Sequence, residues 1–172
     1  GMQSFYAIWD KDLGGSVTPV TGRDKLLKQE ILSQTTQSFG SESAEVRKVS
    51  NNAINWGSHL GWYIDFDQTT PYYERVVVTP TLRNDKVFFP TAIPLLKDDP
   101  CDNDSDSWLM SLDALSGARL SYNTFDLNDD GIFDFNDGFA DRSTVSGWKF
   151  NSEIQQPTVL VDGDKEEWVL SD

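Results

Sequence analysis

The residues of this chain whose types and spacing could do chemistry lie together in Asp126-Leu127-Asn128-Asp129-Asp130-Gly131-Ile132-Phe133-Asp134-Phe135-Asn136-Asp137. Read as an EF-hand-like loop, Asp126, Asn128 and Asp130 take the first, third and fifth positions. Gly131 takes the sixth, where a sharp turn is needed, and Ile132 offers its backbone carbonyl from the seventh. Asp134 stands at the ninth position and Asp137 at the twelfth. Alternation puts oxygen donors on one side of a curling backbone, which suits a hard cation taking six to eight oxygens at about 2.3–2.6 Å. The cofactor expected is therefore a single Ca²⁺. Without an ion, the four carboxylates at ligand positions would repel one another. At the twelfth position an aspartate replaces the usual glutamate, whose longer arm gives bidentate ligation, so the residues that carry the reading best are the other donors.

The flanks separate this loop from a true EF-hand. Leu120-Ser121-Tyr122-Asn123-Thr124-Phe125 reads as extended, and Gly138 follows the loop directly. Ser143, Thr144, Val145 and Gly147 discourage a long exiting helix. The expectation is a calcium loop, 126–137, inserted between strands, rather than a helix pair that opens a groove on binding.

Composition narrows the remaining chemistry. The chain has 172 residues and a formal charge of −14, from 28 acidic against 14 basic residues. Such a chain repels phosphate backbones, so nucleic-acid binding through a basic footprint is excluded. With 38% hydrophobic and 12% aromatic residues it can build a core. Cys101 is the one cysteine and His59 the one histidine, which excludes Cys/His zinc sites. A Ser–His–Asp triad could use only His59, and Trp56-Gly57-Ser58-His59-Leu60-Gly61 is no nucleophile elbow. The most apolar stretch, 87–96, contains Pro90 and Pro94, so no membrane span is expected. Gly1 ahead of Met2 reads as an expression scar, so a missing leader says nothing about secretion.

The elements that must position the loop are short β-type runs: Phe5-Tyr6-Ala7-Ile8-Trp9, Gly61-Trp62-Tyr63-Ile64-Asp65-Phe66, Glu74-Arg75-Val76-Val77-Val78 and Trp108-Leu109-Met110-Ser111-Leu112-Asp113. Two hairpins are expected, one turning at Asn84-Asp85 between Leu82 and Val87-Phe88-Phe89. The other joins Thr158-Val159-Leu160-Val161 to Glu167-Trp168-Val169-Leu170. Leu26, Leu27 and Ile31 stand at helical spacing, which predicts one short helix over 23–34. The Ser/Thr/Gln/Gly-rich stretch 33–44 predicts a loop. Aromatic strands ending in aspartate recur at Tyr6–Asp10, Trp62–Asp65, Trp108–Asp113 and Trp168–Asp172, as propeller blades would. The predicted fold is mainly β, a partial β-propeller of a few antiparallel blades with that short helix and the calcium loop between strands. Because a closed propeller needs more chain, residues 1–172 read as one piece of such a domain.

Taken in order, these motifs resemble the C-terminal β-propeller domain of the PilC/PilY family, the type IV pilus tip-associated biogenesis factors and adhesins. The marks are Tyr6-Ala7-Ile8-Trp9-Asp10, Val49-Ser50-Asn51-Asn52 with Trp56, Gly61-Trp62-Tyr63-Ile64-Asp65 and Glu74-Arg75-Val76-Val77. Pro94, Asp99-Pro100-Cys101, Ser107-Trp108-Leu109-Met110-Ser111-Leu112-Asp113-Ala114 with Gly117, and the calcium loop complete them. The resemblance implies Ca²⁺ held by Asp126, Asn128, Asp130, Asp134 and the Ile132 carbonyl. It also implies a periplasmic, outer-membrane-surface or pilus-tip location and no catalysis. The implied roles are in pilus extension and retraction, twitching motility and attachment. Implied partners are pilus components such as minor pilins, or a host or abiotic surface reached through the parent protein. The sequence departs from the family beside Cys101, where Asp102-Asn103-Asp104-Ser105-Asp106 stands in place of a glycine pair.

Two other classes compete. Dockerin-like modules of carbohydrate-active complexes use similar loops, but in two copies with helices. A quinone-dependent propeller enzyme is suggested by Ser111-Leu112-Asp113-Ala114-Leu115-Ser116-Gly117, which resembles a blade-closing motif. The tryptophan expected four residues after that glycine is Ser121. A glycosidase would need a pair of acids, and the clustered acids here are explained by calcium.

Overall fold

The computed structural model describes residues 2–11, 19–66, 74–94 and 105–154, and the backbone of 158–162 and 165–169. The aromatic runs form strands as expected. Strand β1 (Ser4–Ile8) pairs antiparallel with β5 (Gly61–Asp65), and β2 (Leu27–Gln29) lies parallel on the other side of β5. The larger sheet holds β3 (Ile31–Phe39), β4 (Glu42–Val49), β6 (Thr81–Arg83), β7 (Lys86–Pro94), β8 (Ser105–Asp113) and β9 (Gly147–Phe150). Its order is β3-β4-β9-β8-β7-β6, so β6 to β9 run consecutively as an antiparallel meander and the β3–β4 hairpin extends it past β9. Strands β10 (Thr158–Asp162) and β11 (Lys165–Val169) form the expected terminal hairpin. The hairpin at Asn84-Asp85 is β6–β7, and both turn residues have positive φ, 46° and 63°, as a twisted two-residue turn requires. Pro90 lies beyond the end of β6, where its missing N–H breaks no β6–β7 bond.

Three expectations fail. No helix forms over 23–34; a turn leads into β2 and β3. Gln29, on the polar side of the expected helix, is fully buried instead. Its amide nitrogen donates to the Asn52 and Ser116 carbonyls at 2.8 and 2.9 Å, while its oxygen accepts from the Ser50 hydroxyl at 2.5 Å. That tertiary network outweighs a weak local helical preference. The segment 33–44 is a hairpin, not a loop: Thr35↔Val46 and Gln37↔Ala44 are in register, and Gly40 turns it with φ 61°. Its polar residues are exposed or half-buried on both faces of an edge strand, while Phe39 and Val46 are buried. Finally, 74–78 forms only a bridge, Arg75↔Ala92.

Two apolar clusters hold the molecule together. Trp62, Ile64 and Phe66 of the smaller sheet and its exit pack on Val87, Phe89, Trp108, Met110 and Leu112 of the larger one. Full burial of each such side chain favours folding by about 1.5–3 kcal/mol. On the opposite face Leu109 and Val46 contact Phe39, Phe125, Leu127, Phe139, Val145 and Ile154. Period-two alternation along β8 explains the division: Trp108, Met110 and Leu112 point one way and Leu109 the other. Phe125, Leu127, Phe139 and Val145 of the second cluster come from the β8–β9 connection, which carries the aspartate-rich loop.

Candidate metal centre

The loop 126–137 lies within the connection between β8, which ends at Asp113, and β9, which starts at Gly147; its immediate flanks are irregular chain rather than the extended strand expected over 120–125, and no α-helix leaves it. Side chains on either side fix it to the sheet. Thr124 donates to the Ser111 hydroxyl of β8 at 2.9 Å. Asn123 donates to the Asp134 carbonyl at 2.6 Å and accepts from the Val145 amide at 3.0 Å. Lys48 of β4 meets Asp141 at 2.7 Å and holds its carboxyl well below the usual carboxylate range.

Within the loop, Asp126 accepts from the amides of Asp130 (3.2 Å) and Gly131 (2.8 Å). Asn128 accepts from the Asp130 amide at 3.2 Å, and Asp130 from the Ile132 amide at 2.8 Å. These bonds curl the backbone so that alternate side chains share the inside of the bend. The curl also needs two left-handed residues, Asp129 (φ 58°) and Gly131 (φ 76°). Asn128 Nδ2 donates to Asp130 Oδ2 at 2.9 Å, which brings the third and fifth positions into contact. Ile132 has its side chain 59% exposed, with Phe133 and Phe135 exposed beside it. Asp134 accepts from the amide and side chain of Asn136 and caps a single 3-10 turn, Phe135–Asp137.

Asp137 is fully buried. Its Oδ1 accepts from the amides of Leu127 (2.8 Å) and Asn128 (3.3 Å), and its Oδ2 from that of Asp134 (3.0 Å). Burial pushes its carboxyl up; the three amide donors oppose this, and the neighbouring Asp126 charge adds to it.

The residues present suit a hard cation in kind, since every donor at the ligand positions is oxygen. Their side chains are spent on backbone amides: among the described residues no three His, Cys, Asp or Glu are gathered as they would be around a metal. Ca²⁺ at this loop would draw on Asp126, Asn128 and Asp130, with the Ile132 carbonyl and Asp134 as further donors.

Elsewhere, His59 accepts the Asn55 amide at 3.0 Å and closes a local turn. Cys101 lies outside the described residues. Sequence reasoning missed two structural centres. Arg47 and Glu74 form a buried ion pair at 2.6 and 2.7 Å, joined by Gln34 and Thr91. The tryptophan that packs against Gly117 is Trp62 of β5, whose indole N–H donates to the Ala114 carbonyl at 3.0 Å. The place left open by Ser121 is thus filled across the sheets, by a residue that spacing along the chain could not point to.

No model of a known protein family matches the chain. Among curated proteins it is 31% identical over 142 residues to the type IV pilus biogenesis factor PilY1 of Pseudomonas aeruginosa strain PAO1. That match covers 77% of this chain and 12% of the relative. It is 30% identical over 119 residues to a PilY1 homolog of Xylella fastidiosa, covering 68% of this chain and 8% of that protein. The crystal structure of the Pseudomonas aeruginosa PilY1 C-terminal domain superposes with a TM-score of 0.81 at 25% identity, covering 98% of this chain and 35% of that one. Fold and sequence together define a mainly β domain homologous to part of a type IV pilus biogenesis factor. The chain is homologous to the C-terminal domain of PilY1. It spans about an eighth of the length of the Pseudomonas aeruginosa PilY1 proteins it matches and less of the Xylella fastidiosa homolog.

Proposed function

We propose that this chain is the calcium-binding part of a β-propeller domain in a type IV pilus biogenesis factor, and that Ca²⁺ bound at 126–137 controls pilus extension and retraction. The observation that carries the pilus reading is the homology to PilY1 over most of the chain. The propeller reading is supported by the consecutive antiparallel run β6 to β9, the arrangement of a four-stranded blade. The calcium reading is supported by all-oxygen donors in register and by the amide ladder that curls Asp126, Asn128 and Asp130 onto one side. Such a domain works in the periplasm, at the outer-membrane surface or at the pilus tip, with minor pilins as partners. Twitching motility and attachment are then properties of the parent protein.

Calorimetric titration of the chain with Ca²⁺ is expected to give one site, and Asp126→Ala with Asp130→Ala to abolish its heat. Unchanged heats in the double variant would remove the site from this loop. For the pilus role, the same two substitutions in the full-length protein should reduce twitching zones without loss of the protein from the cell envelope. Normal twitching with a dead calcium site would overturn the control function.

A further inference from the structure

We propose that β3 is a dimerisation edge: a second copy of this chain pairs with it, antiparallel, about a two-fold axis at Thr36. Neither the loop at 126–137 nor an ion enters this contact.

Strand β3 is the outermost strand of the larger sheet, and among the described residues no strand pairs with its outer side. Sheet edges are usually blunted by shortness, charge or proline, because their unpaired N–H and C=O groups invite another chain. The other edges of the larger and smaller sheets are short. β6 has three residues and ends in Arg83, β2 has three with Lys28 at its centre, and β1 has five. β3 has nine, Ile31–Phe39, with no charged residue and no proline. Its register shift lies at the start, between Ile31 and Ser33, so Ser33 to Phe39 run in unbroken register with β4.

The backbone fixes which residues face outward. Arg47, opposite Gln34, gives its carbonyl to the Ser146 amide at 2.8 Å, on the side of β4 away from β3. Alternation in an antiparallel ladder then directs the N–H and C=O groups of Gln34, Thr36 and Ser38 away from β4, to the open edge. Side chains leave that edge clear: Gln34 is drawn to Arg47 and Glu45 of β4, and Thr36 is exposed.

Two copies joined edge to edge in one antiparallel sheet are related by a two-fold axis through the sheet, and the same residues then lie on both sides. With the axis at Thr36, Thr36 stands opposite the partner's Thr36 and Gln34 opposite the partner's Ser38. Every outward residue of this run thereby meets another. Thr35 lies beside the partner's Gln37. A charged residue near the axis would face its own copy, whereas these contacts join hydroxyl and amide side chains, and threonine pairs favour strand association. Neutrality matters in a chain of formal charge −14, whose copies otherwise repel. The contact is small, so the dimer is weak and forms with rising concentration.

Sedimentation of the chain from low micromolar to near-millimolar concentration tests this, with reductant so that Cys101 cannot link copies. A monomer–dimer equilibrium is expected, and salt should tighten it by screening the net charge. Thr36→Lys and Thr36→Glu each place like charges across the axis and should raise the dimer Kd by about fivefold or more. An equal mixture of the two variants should restore association to at least the wild-type level, through Lys–Glu pairs. Thr36 faces Glu45 within the hairpin, so Thr36→Pro, which removes an outward N–H, is the second block should a charge there disturb folding. A wild type that stays monomeric throughout would overturn the proposal and leave the edge to a strand from elsewhere in the parent protein. So would a dimer that both Thr36→Lys and Thr36→Pro leave intact, one that salt weakens, or a mixture no tighter than its components.

Discussion

Arg47 and Glu74 show how much one residue pair can carry in a fold with so little helix. They are 1% and 2% exposed at their side chains. Arg47 donates two bonds to the Glu74 carboxylate and two to Gln34 Oε1, and its guanidinium lies 3.8 Å from the centre of the Trp108 ring. Thr91 adds a further bond to Glu74 at 2.7 Å. The pair thus joins β3, β4, β7 and β8 to the segment entering at Glu74. Desolvating both charges is expensive, so the pair's net contribution is small, but removing one partner strands the other. Glu74→Gln should destabilise the chain by about 3–5 kcal/mol in urea unfolding. Arg47→Met combined with Glu74→Leu should recover most of that loss. A double variant as unstable as the single one would mean that the network's geometry matters more than its buried charge.

At the scale of elements, what the sequence revealed depended on whether neighbours in the chain are also neighbours in space. The aromatic strands, both tight hairpins and the absence of a helix leaving the loop were legible, because alternation, turn residues and glycine after the loop are local signals, whereas the extended reading of 120–125 was not met. The stretch 23–44 was not. Leu26, Leu27 and Ile31 match a helix only if Gln29 is free to face solvent, and Gln29 is recruited to the Asn52 and Ser116 carbonyls. Likewise Ser33 to Ser38 reads as loop by composition, yet β3 is an edge strand whose polar side chains keep access to solvent. Within the loop, the turn at Gly131 was legible from its residue type, but the inward turn of Asp137 was not, since burial comes from the cluster under Leu127. Gly117 shows the same limit. Its φ is 70°, and a Cβ there would lie 2.2 Å from the Trp62 ring. Gly117→Ala should therefore destabilise the chain by about 2 kcal/mol or more, from backbone strain together with overpacking. The same change at Gly22, which has open space around it, leaves only the backbone strain and should cost less. Equal losses at the two sites in chemical denaturation would show that the Trp62 contact contributes nothing.

At the scale of the whole molecule, the larger sheet has a different partner on each face: the smaller sheet on one, the loop-bearing connection on the other. Leu109 and Met110 are adjacent in β8 and reach opposite clusters, so the sheet is a wall common to both. If the loop binds Ca²⁺, its effect should therefore not stay in the loop. At a free concentration about a hundred times Kd, binding to the folded state alone adds about 2.7 kcal/mol. For a chain of this length that corresponds to a Tm rise of roughly 5–10 °C. Trp62 and Trp108 lie in the cluster between the sheets, on the face away from the loop, and once the other four tryptophans, Trp148 of the loop side among them, are replaced by phenylalanine their fluorescence reports that region. The Tm they report should rise with Ca²⁺ by this amount. Leu127→Ala, which removes the loop's anchor from the opposite cluster, should cost about 2–5 kcal/mol and reduce the calcium-induced rise seen by those tryptophans. A tryptophan-reported Tm that ignores Ca²⁺ while calorimetry records binding would mean that the loop orders by itself. The sheet would then carry no signal from the ion to the rest of the pilus factor.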